Sequence, residues 1–144
     1  MPPATHTACA IIGLGCRQGC TCEDLLALVE QSLDKTGLTL SAVQGIASID
    51  LKREEPGLIE LCRRLNLPFN VFSADQLAPY ASQLSQRSKV AFEQTGCWGV
   101  AESAALALAE QLSGAGATLL VTRQASSVAT FALACTGQIL SLIH

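Results

Sequence analysis

Charge is scarce in this chain, and positive charge scarcer still. Lys and Arg number nine and Asp and Glu twelve, so charged residues make up 15% of 144, against roughly 25% in an average soluble protein. With a net charge of −3 and no basic stripe, a nucleic-acid partner has no electrostatic footing. Histidine is confined to His6 and His144, near the two ends. A Ser/His or Cys/His nucleophile pair would therefore have to recruit a terminal segment. Long apolar runs are missing too: the longest, Ala8 to Cys16, stops after nine residues and contains two glycines, where a membrane span needs about 20. No Lys or Arg precedes Arg17, so the basic start of a signal peptide is lacking. Gly15-Cys16 also lacks the flanks of a lipoprotein cleavage site. The expectation is a cytoplasmic protein with neither a membrane nor a nucleic acid as partner.

What is abundant is apolar surface. Hydrophobic residues make up 49% and mean hydropathy is +0.37, which implies much interior or a surface hidden in a complex. The length suits one domain with one sizeable core. No repeat, linker or low-complexity tract divides it, so 1–144 is read as a single domain with 1–7 a frayed lead-in. Seven cysteines, an odd number without a paired framework, read as reduced thiols, mostly small core hydrophobes.

Ala8 to Leu14 reads as a buried strand, followed by the loop Gly15 to Cys20. Thr21 and Asp24 are spaced as a capping pair opening a helix whose inner face is Leu25, Leu26, Val29 and Leu33, with Gly37 placed as its C-cap. Ser41 to Gln44 suggests a turn of helix and Gly45 to Asp50 a second strand. Lys52-Arg53-Glu54-Glu55 forms a charged loop before a helix begun by Pro56 and Gly57. Leu58, Leu61 and Leu65 face inward on that helix, with Glu60, Arg63 and Arg64 outward. Phe69 to Phe72 reads as a third strand, and Ser73 caps a brief helix around Asp75 to Tyr80. Residues 81–95 are polar and resist placement. A helix runs from about Val100 to Leu112. Thr118 to Thr122 reads as a buried strand, and Val128 to Ala134 alternates like a partly exposed one. Strands alternating with helices predict an α/β fold: a three-layer α/β/α sandwich on a mostly parallel sheet of about five strands. A hairpin between the last two strands would make the sheet mixed.

Open α/β sheets gather ligands outside the carboxyl ends of their strands, and three loops are candidates. The first is Gly13-Leu14-Gly15-Cys16-Arg17-Gln18-Gly19, where glycines let backbone approach a ligand, the following helix offers free N–H groups, and Arg17 adds a carboxylate-binding fork. Its G-x-G-x-x-x-G spacing is neither the dinucleotide fingerprint nor a P-loop. A tight strand-to-helix turn with no ligand accounts for the same glycines. The second loop holds Asp50, Lys52, Glu54 and Glu55; a solvated charged surface is its plainer explanation. The third is Gly96 to Glu102, where Glu102 in a first helical turn also suits the helix dipole, and Trp98 suits packing as well as stacking on a ligand. Cys16, Cys20 and Cys22 have C-x3-C-x-C spacing without a second pair or a nearby His, so no metal site is expected, and nothing calls for a cofactor. Cys16 beside Arg17 could be activated, but an inert buried thiol explains it equally.

The same loops carry a family resemblance. Ile12-Gly13-Leu14-Gly15-Cys16-Arg17-Gln18-Gly19, then Ala47-Ser48-Ile49-Asp50-Leu51-Lys52 with Glu55-Pro56-Gly57-Leu58, and Gly99-Val100-Ala101-Glu102-Ser103-Ala104-Ala105-Leu106 together resemble the CobE family, equivalent to the C-terminal domain of CbiG. The segments around Leu119-Leu120-Val121 and Val128 to Ala134 fit it as well, so the likeness covers nearly the whole chain. It implies a role in building the corrin ring of cobalamin, with a precorrin or corrinoid intermediate as ligand and other corrin-pathway enzymes as potential partners. Two-domain CbiG is the cobalt-precorrin-5A hydrolase, which opens a lactone and releases a two-carbon aldehyde. This sequence shows no N-terminal half, which favours a binding protein over an independent hydrolase or an interaction module. The resemblance singles out Gly13, Gly15, Cys16, Arg17, Asp50, Lys52, Glu55, Gly57, Gly99 and Glu102 as ligand-binding. Under the hydrolase reading, Asp50 or Glu55 would be the base and Lys52 the oxyanion partner. Precorrins are ringed by carboxylates, so the binding reading requires Arg17 and Lys52 to converge on one concavity.

Overall fold

Strand β1 (Ala10–Cys16) sends alternate side chains to opposite faces of the sheet. Ala10, Ile12 and Leu14 join one buried cluster, while Ile11 joins the other. The computed structural model describes residues 9–136; His6, His144 and the lead-in at 1–7 lie outside the described residues. Strands β2 (Val43–Ile49), β3 (Phe69–Phe72), β4 (Thr118–Ala125) and β5 (Ala129–Cys135) complete a sheet of order β3-β2-β1-β5-β4. β1, β2 and β3 are parallel, whereas β5 runs antiparallel to β1 and β4 antiparallel to β5. The fold is therefore an α/β sandwich on a mixed five-stranded sheet, and the mixing comes from the β4–β5 hairpin.

Helices α1 (Cys22–Asp34) and α2 (Pro56–Leu65) supply Leu25, Val29, Leu58 and Leu61 to the first cluster. α3 (Ala74–Leu77) and α5 (Val100–Ser113) supply Leu77, Leu106 and Leu108 to the second. Thr21 caps α1 by accepting the Asp24 N–H at 3.0 Å, as the spacing predicts. Asn66, in the left-handed conformation with φ 56°, ends α2. α1 stops sooner than expected: its C-cap is Lys35, and Gly37, with φ 78°, belongs to the turn beyond. The brief helix after Ser73 is a single α turn with a reciprocal capping box to Gln76, continued by a 3-10 segment, Ala78–Gln83. The unplaced region contains a further helix, α4 (Lys89–Thr95).

Two expectations are exchanged. β4, expected to be buried, is an edge strand with only Val121 buried; β5, expected to be half exposed, lies between β1 and β4 with Ala129 and Phe131 to Cys135 buried. The alanines of β5 mimic a polar alternation. They are small because a helix and a neighbouring strand crowd them, not because they meet water.

Two glycines set how closely layers approach. A Cβ on Gly13 would run into the Ala101 carbonyl of α5, and one on Gly57 into the Cys20 carbonyl. Only a bare backbone lets α5 sit directly on β1, and the start of α2 on the loop after β1.

Candidate functional site

Because β5 is antiparallel to β1, with Cys16 opposite Ala129, the hairpin tip stands beside the carboxyl end of β1. The N-terminus of α5 reaches the same end, placing Val100 against Gly15. Between these elements lies a cleft of about 240 Å³, walled on the remaining side by α4. Arg17 and Lys52 both line it, so the two residues border one concavity.

The loop after β1 is pinned from two sides. Arg17 N–H donates to the Val128 carbonyl at 2.8 Å, and Gly19 N–H donates to Glu55 Oε2 at 2.9 Å. Gly19 takes φ 86°, which a side chain would resist. Glu55 is buried, and its other oxygen lies 3.8 Å from Lys52 Nζ. This carboxylate joins the first two candidate loops, and both its oxygens are engaged.

Glu102 makes the corresponding tie for the third loop. It is 2% exposed. It accepts the Ser85 N–H at 2.8 Å, the Ser85 hydroxyl at 2.5 Å and the Arg123 N–H at 2.8 Å. Its oxygens are spent on holding the 85–88 segment and β4 to α5. The N-terminus of α5 itself has no side-chain cap, and Gly99, Val100 and Ala101 line the cleft. Uncapped N–H groups at such an end attract anions. By contrast, α1, the helix after the glycine loop, is capped by Thr21 and contributes nothing to the lining.

Of the ten residues singled out, Gly15, Cys16, Arg17, Lys52, Gly99 and Glu102 line the cleft. Gly13, Asp50, Glu55 and Gly57 do not. Gly13 and Gly57 serve close packing, Glu55 braces loops, and the Asp50 carbonyl accepts the Arg53 N–H in a 3-10 turn. Sequence reasoning missed Arg123 of β4, whose guanidinium donates to Gln86 Oε1 at 2.9 Å, and Val90 and Gln94 of α4. No local pattern marks them, because they reach the cleft only through strand order and chain reversal.

The Cys16 thiol is pushed well above its ordinary value by burial and by its hydrogen bond with Cys20, which opposes nucleophilic use. Burial likewise lifts Cys62 to about 12. All seven cysteines are free, and no group of three or more His, Cys, Asp or Glu able to hold a metal occurs among the described residues. Trp98 does not line the cleft; it stacks on Phe92 with ring centroids 4.3 Å apart.

Fold and cleft together define a small mixed α/β sandwich with a cation-lined cleft at the carboxyl ends of its parallel strands. The family model described as cobalamin synthesis G C-terminus matches residues 10–134, and the chain belongs to that family. It is 35% identical over 141 residues to Protein CobE of Sinorhizobium sp, covering 93% of this chain and 89% of that one. A crystal structure of CobE, described as a protein from the cobalamin (vitamin B12) biosynthetic pathway, superposes with a TM-score of 0.89 at 42% identity, covering 94% of this chain and 95% of that one. The cobalt-precorrin-5A hydrolase of Priestia megaterium is 30% identical over 117 residues, 81% of this chain but only 30% of the hydrolase. No helix among the described residues is long and apolar enough to cross a membrane.

Proposed function

We propose that this chain works in cobalamin biosynthesis by binding a precorrin or corrinoid intermediate, gripping its rim carboxylates with Arg17, Lys52 and Arg123. One observation carries the reading: three cations and an uncapped helix N-terminus line one cleft whose only carboxylate among the described residues, Glu102, is already saturated by N–H and O–H donors. Even with Lys52 paired to Glu55 at 3.8 Å, positive charge remains in surplus in the cleft, which suits charge-assisted bonds to carboxylates. Membership in a cobalamin-synthesis family supports a corrin-pathway intermediate as the ligand class. The hydrolase reading gains less from the geometry, since Asp50 and Glu55 lie outside the lining and Glu55 is committed to Gly19 and Lys52.

The deciding experiment mixes the pure protein with a hydrogenobyrinic-type corrinoid or a precorrin and follows both the ligand spectrum and released aldehyde. Saturable binding without turnover supports a carrier. Catalytic aldehyde release would replace it with the hydrolase, and no binding would leave an interaction module. Arg17 is exposed, so Arg17→Ala should weaken binding about tenfold, the loss of one charge-assisted contact, with an unchanged melting curve. Unaltered affinity would remove Arg17 from the site.

A further inference from the structure

We infer that the ligand is held edge-on: the cleft takes a group of rim carboxylates and leaves both faces of the macrocycle outside the protein. This rests on the corrinoid reading above and specifies how such a molecule is gripped. Size is the first observation. The cleft measures about 240 Å³, whereas sites enclosing a drug-sized molecule run from roughly 300 to 1,000 Å³. A tetrapyrrole carrying acetate and propionate arms exceeds a drug-sized molecule, so it does not fit inside.

The second observation is the chemistry of the walls. Enclosed flat rings are gripped by stacking, and aromatic side chains are the usual surface for it. None of the described residues lining this cleft is aromatic. The nearest candidates by sequence, Phe92 and Trp98, are stacked on each other instead. The third is the direction from which the charges come. Arg17 lies on the loop after β1, Lys52 follows β2 and Arg123 belongs to β4. Cations from three separate walls suit several carboxylates offered together along one edge of a ring, more than a single small anion. Glycine and small residues at the floor, Gly15, Gly99 and Ala101, give slender side arms room to enter. A ligand held this way keeps its ring faces available to the enzyme that takes it next, which is the geometry a carrier needs.

The test uses diaquocobyrinic acid, whose carboxylates are free and whose two axial waters report on the two ring faces, with its heptamethyl ester as control. Cyanide displaces each water in turn, forming a Co–C bond as the Co–O bond breaks, with no change in oxidation state and a clear spectral shift. With the protein in saturating excess, edge-on holding predicts that both waters exchange at the rate of the free corrinoid. It also predicts that the ester loses binding and that tricarballylate, a tricarboxylate without a ring, competes. Exchange of either water blocked in the complex would overturn the inference and leave the corrinoid reading standing. Ester binding as tight as that of the acid would overturn the carboxylate grip. Failure of the free acid to bind would overturn the corrinoid reading itself, so the two failures are told apart.

Discussion

Helices α4 and α5 are consecutive in the chain and share the cleft, yet they are built in opposite ways. In α5, ten successive residues from Val100 to Ala109 are buried. The helix lies against β1, β2 and β5 through alanines and the bare Gly13, which puts it at interior packing density on nearly every side. α4 buries no residue at all. It is held by its own Ser88 cap, by Ser88 N–H to the Trp98 carbonyl at 2.8 Å and by the Phe92–Trp98 stack. Val90 is 62% exposed although it lines the cleft. The floor of the site is thus part of the core, and one wall is tied on by a few polar contacts. Local stability follows buried apolar contact, so the two should respond very differently to substitution.

The largest expected effect comes from the floor. Gly13→Val should cost about 3 kcal/mol, because the new side chain would meet the backbone of α5 and no rotamer avoids it; urea unfolding measures this. A loss under about 1 kcal/mol would mean that α5 can lift off β1, and the contrast with α4 would fail. Next is the tie between floor and wall. Glu102→Ala removes the acceptor for Ser85 and Arg123 and should cost about 2 kcal/mol, with faster proteolytic nicking between residues 85 and 98. Trp98→Ala tests the wall alone. It should change global stability by only about 1 kcal/mol while amides of 88–96 exchange faster. Equal slowing or speeding in α5 would break the distinction.

The last effect is electrostatic and is confined to alkaline pH. The Tyr80 hydroxyl donates to Glu110 at 2.8 Å, tying the 3-10 segment to α5. Burial first, then this bond, lift its pKa from the ordinary 10 to about 12. A raised folded-state value means that the contribution is complete below pH 10 and is lost as pH rises through about 12. Stability of the native protein should fall across that window, and Tyr80→Phe should flatten the decline. A decline of the same size in both would assign it elsewhere.

Much of the fold was legible because local rules and final structure agree. The Thr21 cap, the Pro56 start and the Ser73 capping box mark helix beginnings by side-chain chemistry that needs no tertiary partner. The apolar run in β1 announces a strand covered on both faces. The cleft was half legible. Gly15, Arg17, Lys52, Gly99 and Glu102 sit where strands end and helices begin, positions that sequence reasoning can locate. Gly13, Glu55 and Gly57 look the same in sequence as those cleft-lining residues. Whether a glycine admits a ligand or a neighbouring backbone depends on what lies opposite, and here it is the Ala101 and Cys20 carbonyls.

By itself the amino-acid order determined most helix and strand segments outside 81–95, where α4 went unplaced, that their apolar faces must be covered on both sides of a sheet, and the family to which the chain belongs. Periodicity, caps and motifs are local properties, read along the chain at short range. Tertiary structure alone decided that β5 inserts between β1 and β4, and therefore that β5 is buried, β4 is an edge, and Arg123 joins Arg17 and Lys52. Strand order is a contest between long-range packings of near-equal local quality, and no residue records its outcome before the sheet has closed.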